Sequence, residues 1–546
     1  MYCSSSTMDI SAADESEAAS DNREQSFTSE IFKIKICNLP SYIGHGQIRK
    51  LLGKRLELNP VKVKAQLKQN VAYATFRSEE EKQKAMTKIN GFVWKKHELT
   101  TKAATASKDP IRDKRDSDAK RIKIDDEDVD IEKVLNDHVT PLWQTSYEEQ
   151  LELKWDAHAD VLKKLVSELD IKKLNWELNE DGLPCVLEKA RESPIRTHYR
   201  NKCEFSLGTG QDGLTTVGFR LGSYRDGDLR VVTPRGCYHV PPLAVEAAER
   251  FQGYVRQSKL GPFDPVTHSG HWRMLTVRTT MTKDVMMIAY FHPQDLSQGD
   301  VDEEVAKLKA FFAGTIATSV LVQLDKSVSM GNTASQPYQL IHGEPIIHET
   351  LLGLKFRISP EAFFQINTPA AEVLYRVISD YCDPTPDTHL LDICCGTGTI
   401  GLTLAKNVAR VTGIEMIANA IDDARANADV NDIQNVEFVT GKAEDVLPEL
   451  LPRIGGGGGG RVVGVVDPPR AGLHGRVVQA MRKCKELNRI VYVSCNPNAA
   501  YKNFLDLCRP ESGRLKGRPF RLVKATPVDL FPMTRHCELV LLFERR

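Results

Sequence analysis

Asp467 and Cys495 are the side chains of this sequence that their neighbours best place to do chemistry. Each stands at the end of a short apolar run. Val463-Gly464-Val465-Val466 leads into Asp467-Pro468-Pro469-Arg470, and Ile490-Val491-Tyr492-Val493 leads into Ser494-Cys495-Asn496-Pro497. Runs of this kind, closed by turn-forming residues, read as buried parallel strands that deliver polar groups to the carboxyl edge of an α/β sheet, where ligands bind. A thiol and a carboxylate at neighbouring strand ends form a candidate site for covalent catalysis. The competing reading is that Cys495 packs as a small hydrophobe, as free cysteines usually do. Asn496 and Pro497 argue instead for a strand exit.

The elements around this pair read as α/β from Leu351 onward. Phe363-Phe364-Gln365-Ile366-Asn367-Thr368-Pro369 leads into a helix with Thr368 as the expected cap and Pro369 at its first position. Leu390 through Gly401 then reads as strand, glycine turn and helix, with Asp392 on the strand and Gly396 and Gly398 in the turn. Glycines there let backbone approach a ligand at a helix amino terminus, a feature that dinucleotide folds share. The next strand, Val411 to Ile414, ends in Glu415, where an acidic side chain would take ribose hydroxyls. Further strands are expected at Val436 to Val439, Val462 to Val466 and Ile490 to Val493. Phe520 to Thr526 and Glu538 to Phe543 read as a closing hairpin. Seven strands with a terminal antiparallel pair suit a class I methyltransferase sheet, a Rossmann-like α/β fold, better than a nicotinamide domain. Gly455 to Gly460 read as a flexible insertion, since no phosphate-loop Lys-Ser or Lys-Thr follows them.

Upstream, the chain changes character several times. Its 546 residues are too many for one core and suggest three or four domains. Residues 1–29 are rich in Ser, Asp, Glu and Ala and poor in aromatics, which predicts a disordered tail. Residues 30–104 alternate as βαββα, with Ile34 to Leu39 and Gln69 to Phe76 where an RNA-recognition motif carries its two signature strands. Lys35 and Val71 stand where that motif has stacking aromatics, and Tyr73 is kept. Between Lys33 and Lys102 sixteen Lys and Arg face five Asp and Glu, so an RRM-like α+β domain would hold RNA through its backbone, or else serve as a protein-interaction module. Residues 105–145 swing from basic to acidic and read as a linker; the basic half, Arg112 to Lys123, is either a solvated run or an import signal. From Ser146, with Glu149 three residues on, a capped helix carries Leu151, Trp155, Leu162, Leu165, Val166 and Leu169 on one face. It opens residues 146–350, whose many short strands predict an antiparallel β-rich domain. Arg196, Tyr199, Arg200, Asn201 and Lys202 cluster before the first long strand, as phosphate contacts or as a solvated basic edge. The α/β domain then occupies 351–546.

Composition narrows the class. With 41% hydrophobic and 27% charged residues, and 73 basic against 73 acidic side chains, the chain reads as a globular protein whose basic partner surface is local. Twelve cysteines lack the paired spacing of zinc or iron–sulfur sites, so no metal and a reduced, intracellular compartment are expected, cytoplasmic or nuclear. No apolar run reaches the roughly 18 residues that span a bilayer, and no signal peptide pattern opens the chain.

Four motifs in order, Phe364-Gln365-Ile366-Asn367, Asp392 through Gly398, Asp467 through Gly472, and Ser494-Cys495-Asn496-Pro497, together with the tail Asp529 through Glu538, give residues 146–546 a specific likeness. The sequence resembles the RNA uracil-5-methyltransferase family. That resemblance implies S-adenosylmethionine as cofactor and folded RNA as partner, tRNA first, with a T-loop uridine as target. It further implies Cys495 as nucleophile and Glu538 as base, with Gln365, Asp392, Gly396, Gly398, Glu415 and Asp467 around the cofactor or target base. Cys394 and Thr399 depart from an aromatic and an asparagine found in some bacterial relatives, and the cysteines of the iron–sulfur branch are missing. A cytosine-5-methyltransferase would carry Pro-Cys where this chain has Pro469-Arg470, and an amino-group methyltransferase an aromatic in place of Arg470. A non-catalytic RNA-binding role would leave Cys495 and Glu538 unexplained.

Overall fold

The computed structural model describes residues 32–104 (except 41, 42, 44, 61, 67–69, 77 and 96), 130–222 (except 170–173 and 175), 230–455 (except 266, 316 and 326–335) and 460–545. The amino-terminal tail, the import-signal run and most of the Gly455–Gly460 insertion lie outside the described residues. The described residues fall into two compact units, 32–104 with 222, and 130–221 with 230–545.

In the first group, strands β1 (Lys33–Cys37), β2 (Lys62–Gln66), β3 (Val71–Thr75) and β4 (Thr100–Ala103) form one antiparallel sheet in the order β2-β3-β1-β4. β4 lies beyond the last element expected from the sequence. Strict alternation puts Ile34, Ile36, Val63, Ala72 and Ala74 on one face, buried with Ile48 and Leu52 of the α1 region (His45–Lys50 and the π turn Leu51–Arg55) and with Ala85 and Ile89 of α2 (Glu79–Ile89). Phe76 is buried in that core. On the other face, register aligns Lys64, Tyr73, Lys35 and Lys102 in one row across the four strands.

The second group opens with α3 (Ile131–Val139), inside the stretch read as linker, and α4 (Tyr147–Glu168). Ser146 caps α4 as a capping box, its hydroxyl accepting from Glu149 N at 3.3 Å while Glu149 Oε2 accepts from Ser146 N at 3.2 Å. That arrangement satisfies two amides that a helix start otherwise leaves open. Leu162 and Leu165 of α4 are buried in the core that also contains Tyr501 and Phe504.

A seven-stranded sheet follows, built from β6 (Lys202–Thr209), β7 (Thr215–Arg220), β8 (Val231–Val232), β9 (Trp272–Thr279), β10 (Val285–Phe291), β11 (Ser319–Leu324) and β12 (Tyr338–Gly343), in the order β8-β7-β6-β9-β10-β11-β12. It is not wholly antiparallel as the sequence suggested. β10 and β11 run parallel, because the helix α6 (Gln298–Phe312) crosses between them; α5 (Pro242–Gln257) precedes β9. The hairpin β13 (Ile347–Leu351) and β14 (Leu354–Ile358) leads into the α/β region.

There α7 (Thr368–Cys382), α8 (Thr399–Leu404), α9 (Ala418–Val430), α10 (Ala443–Gly455), α11 (Gly475–Lys483) and α12 (Pro497–Cys508) alternate with strands. The strands are β15 (His389–Ile393), β16 (Arg410–Glu415), β17 (Val436–Thr440), β18 (Val462–Val466), β19 (Leu487–Ser494), β20 (Arg521–Val528) and β21 (Glu538–Glu544). Their order is β17-β16-β15-β18-β19-β21-β20, parallel up to β19 and then antiparallel through the expected closing hairpin. Every residue of β18 is buried, as a central strand covered on both faces requires. An eighth strand, β5 (Val186–Leu187), adds parallel to β20 from a stretch the sequence placed at the head of the β-rich region. The cap of α7 is Asn367, not Thr368: Asn367 Oδ1 accepts from Ala370 N at 3.2 Å, while Thr368 donates to Glu349 Oε2 at 2.9 Å. Among the described residues no helix is long and apolar enough to cross a membrane, and no group of three His, Cys, Asp or Glu side chains is placed to hold a metal ion.

Candidate active site

The carboxyl ends of β15 to β19 open into one cleft of about 1320 Å³. Order reverses between β15 and β18, so this is the switch point at which open α/β sheets bind ligands. Cys394 to Thr397 follow β15, Glu415 to Ile417 close β16, Gly441 to Glu444 follow β17, Asp467 to Arg470 follow β18, and Cys495 to Asn498 follow β19; all line the cleft. Glu538, first residue of β21, lines it as well, and Phe363 to Ile366 form a further wall.

The glycine turn splits into two roles. Gly396 sits at φ 54°, and a Cβ there would meet nothing within 4 Å, so its backbone is open to a ligand. At Gly398, φ 80°, an added Cβ would meet Phe438, Ala424 and Leu402 at 3.1 to 3.2 Å, and the residue is not part of the cleft wall. It lets the turn pack, not the ligand approach. Asp392 also lies beneath the cleft: it is fully buried, and its Oδ2 accepts from Gly401 N at 2.8 Å at the start of α8. Burial, with Asp467 and Glu415 adding to it against the Gly401 hydrogen bond, pushes its carboxyl up to about 7. These two residues, expected at the cofactor from the sequence, therefore support the floor.

Glu415 is held from both sides. Its Oε2 accepts from Gly396 N at 3.2 Å and its Oε1 from Ile417 N at 2.9 Å, tying the turn after β15 to the end of β16. Beside it Met416 and Ile417 are exposed apolar side chains at the rim, as is Phe363 across the cleft. Gln365 lines the wall, and its backbone oxygen accepts from Asn201 Nδ2 at 2.8 Å.

Cys495, half-buried, and Glu538, buried, line the same cleft as Asp467. Burial, then the charges of Glu538 and Asp467, push the Cys495 thiol above its ordinary range, and Arg470 pulls it back. Burial also pushes Asp467 up to about 6. Glu538 is raised well above the carboxylate range by burial and by Asp467, with Arg470 again opposing, and its Oε2 has no hydrogen-bond partner among the described residues. Arg470 is thus the cation that acts on both groups. In the sequence it served only to set other methyltransferase classes aside, although its place directly after Asp467-Pro468-Pro469 was the available signal. The loop that carries it is clamped by Asn503 of α12, whose Oδ1 accepts from Leu473 N at 2.7 Å and Tyr492 OH at 2.9 Å.

The basic cluster at 196–202 does not form one anion site. Arg196 pairs with Glu192 and stacks over Tyr147, Tyr199 OH donates to Pro532 O, Asn201 binds Gln365 O and Thr368, and Lys202 pairs with Glu204. Arg200 and Tyr199 alone of the five reach the cleft wall. Thr399, one of the two departures, shares a 2.8 Å hydrogen bond with Tyr375 OH; Cys394, the other, holds φ 66°.

A switch-point cleft with a glycine turn, an acidic side chain closing the following strand and a terminal antiparallel hairpin defines a class I methyltransferase fold. In agreement, residues 384–453 match the family pattern described as a methyltransferase domain, and residues 461–546 match that of tRNA (Uracil-5-)-methyltransferase. The chain belongs to the tRNA (uracil-5-)-methyltransferase family. It is 45% identical over 540 residues to human tRNA (uracil-5-)-methyltransferase homolog A, covering 96% of this chain and 84% of that protein. To human homolog B it is 44% identical over 424 residues, 75% of this chain and 84% of that one. The solved structure of Pyrococcus abyssi tRNA (uracil-54, C5)-methyltransferase in complex with S-adenosyl-L-homocysteine shares the fold, with TM-score 0.53 and 23% identity over 83% of this chain and 91% of that chain.

Proposed function

We propose that this chain transfers a methyl group from S-adenosylmethionine to C5 of a uridine in tRNA, a T-loop uridine first, through a covalent adduct between Cys495 and C6 of the ring. The observation that carries the reading is the meeting of Cys495, Glu538 and Asp467 in one cleft that also holds the open turn at Gly396 and the anchored Glu415.

The cleft suits the cofactor on this chain's own features. Glu415 offers a carboxylate to ribose hydroxyls, Gly396 admits a close approach, and Met416 and Ile417 give an apolar rim against which a purine can lie. When bound, S-adenosylmethionine supplies an electrophilic methyl on a sulfonium. Uracil C5 is too weak a nucleophile to take it unaided. Attack of Cys495 Sγ on C6 forms an S–C bond and moves the ring's π electrons toward O4, so that C5 becomes nucleophilic. After C5 is methylated, Glu538 removes the C5 proton, the C5–C6 double bond re-forms and Cys495 leaves as thiolate. Asp467 orients the ring or the cofactor. Burial works against the ionised form in which Glu538 acts, and Arg470 favours that form.

To present C6 to a thiol inside a cleft the base must leave its stack, at a cost on the order of a few kcal/mol. Arg200, Arg470, Arg535 and His536 around the cleft offer partners for the RNA backbone. We also read the first group of strands as an RRM-like domain. The order β2-β3-β1-β4 with both helices on one face supports this, and the row Lys64, Tyr73, Lys35, Lys102 suits one stacked base among phosphate contacts. Transfer of labelled methyl from S-adenosylmethionine into total RNA, with Cys495→Ala alongside, tests the function. Incorporation as 5-methyluridine that the variant abolishes is expected; labelled 5-methylcytidine, or none, would refute it.

A further inference from the structure

Lys154 belongs to α4, outside the catalytic sheet, yet its ammonium is buried and spent on the segment that leads to Glu538. Nζ donates to Asp529 Oδ1 at 2.7 Å and to Phe531 O at 3.2 Å, with both members of the ion pair at 1% exposure or less. The segment 529–533 leaves β20 and is fixed at nearly every backbone polar group. Leu530 O accepts from Asn367 Nδ2 at 3.1 Å, Phe531 N donates to Asp529 Oδ1 at 2.9 Å, and Pro532 O accepts from Tyr199 OH at 3.0 Å. Met533, at φ 65°, donates to Gln150 Oε1 at 2.7 Å and accepts from Leu142 N at 2.9 Å. From there the chain runs along the cleft as Thr534 to Cys537 and delivers Glu538.

A buried lysine–aspartate pair contributes little net stability, because desolvation offsets its attraction, and in some proteins it serves instead to hold one geometry. Such a hold has a purpose here. Glu538 Oε2 lacks a hydrogen-bond partner among the described residues, so the place of the carboxyl depends on where its backbone is fixed.

We propose that Lys154 is a positioning residue for Glu538, acting through the strap 529–533, and so sets the rate of proton removal from C5; this rests on the reading of Glu538 as the base. Lys154 does not touch the reacting atoms. Removing it lets the strap shift while the thiol and the cofactor wall at β15 and β16 stay in place. Adduct formation should then survive and its resolution slow.

The test is a single-turnover reaction of the full chain with transcribed tRNA and S-adenosylmethionine, following the adduct by denaturing electrophoresis. The variant Lys154→Met with Asp529→Asn leaves no unpaired buried charge and keeps an acceptor for Phe531 N. It should melt close to the parent and bind S-adenosylmethionine alike, yet resolve the adduct about tenfold more slowly or worse. Lys154→Arg should recover part of that rate. Resolution at the parent rate by the double variant overturns the proposal. Should that variant not fold, Gln150→Met, which removes the acceptor of the Met533 amide and buries no charge, is read by the same rule. Glu538→Gln run in parallel separates the two ideas. Slow resolution there with a parent rate in the Lys154 variant sinks only the positioning role, whereas a parent rate in Glu538→Gln sinks the base itself.

Discussion

Cys495 and Glu538 flank the last pair of one antiparallel ladder: Ser494 stands opposite Leu539, and Cys495, just after Ser494, and Glu538, just before Leu539, bring a thiol and a carboxyl to the same cleft. Burial first, and then Glu538, raises the Cys495 thiol above its ordinary range.

In the proposed reaction, attack on C6 and methyl transfer precede removal of the C5 proton, so Glu538→Gln should still bind RNA, form the adduct and transfer one methyl. A methylated protein–RNA species that survives denaturing electrophoresis is expected, with none from Cys495→Ala. Normal turnover by Glu538→Gln would exclude it as base.

Arg470 bears on the pH dependence. Burial raises both Cys495 and Glu538 and Arg470 opposes it at each, and in the proposed reaction both must lose a proton to act. Turnover should therefore climb with pH, and Arg470→Met should move that limb to higher pH. An unshifted pH–rate profile at saturating RNA would show that Arg470 does not tune them.

Glu415→Ala should weaken S-adenosylmethionine binding by roughly 1.5 to 3 kcal/mol, the range for a hydrogen bond to a charged group. Part of the loss will come through the amides of Gly396 and Ile417, which Glu415 holds. Calorimetry decides; unchanged affinity removes Glu415 from the cofactor site.

Asp392 should make stability depend on pH. Folding raises its pKa from 3.8 to about 7, chiefly by burial, so the native state binds the extra proton between those values. Stability from this group is full at low pH and lost as pH rises through 7. Asp392→Asn, which keeps an acceptor for Gly401 N, should gain on the parent as pH rises from 5 to 8, by an amount on the order of a few kcal/mol. Equal unfolding midpoints across that range would contradict the buried, protonated carboxyl.

Deleting residues 1–104 should weaken tRNA binding and flatten its salt dependence, leaving turnover at saturating RNA nearly intact. Replacing Lys35, Lys64 and Lys102 by alanine should reduce the slope of log K against log salt by roughly 0.7 to 0.9 for each phosphate that a lysine no longer neutralises. Loss of turnover under saturation would mean that this domain helps to build the active site.

Local signals determined much of this architecture. Apolar runs ended by Asp467-Pro468 and by Cys495-Asn496 mark strand exits wherever they occur, and a capping box at Ser146 and Glu149 needs only four consecutive residues. The sheet, its closing hairpin and the strand-end placement of Glu415, Asp467 and Cys495 were legible for that reason. Asp392 and Gly398 could not be told from cleft residues, because a turn's sequence does not say which of its sides faces the ligand and which packs on Phe438 and Ala424. The cluster at 196–202 looked like one basic edge until distant partners divided it. Val186–Leu187 found its sheet only through β20, since a two-residue strand has no periodicity of its own. The Lys154–Asp529 pair joins positions 375 residues apart. A lysine on a helix face carries no mark of burial in its own stretch, and only the fold, by bringing Asp529 and the carbonyl of Phe531 to it, decided that this charge lies inside the protein.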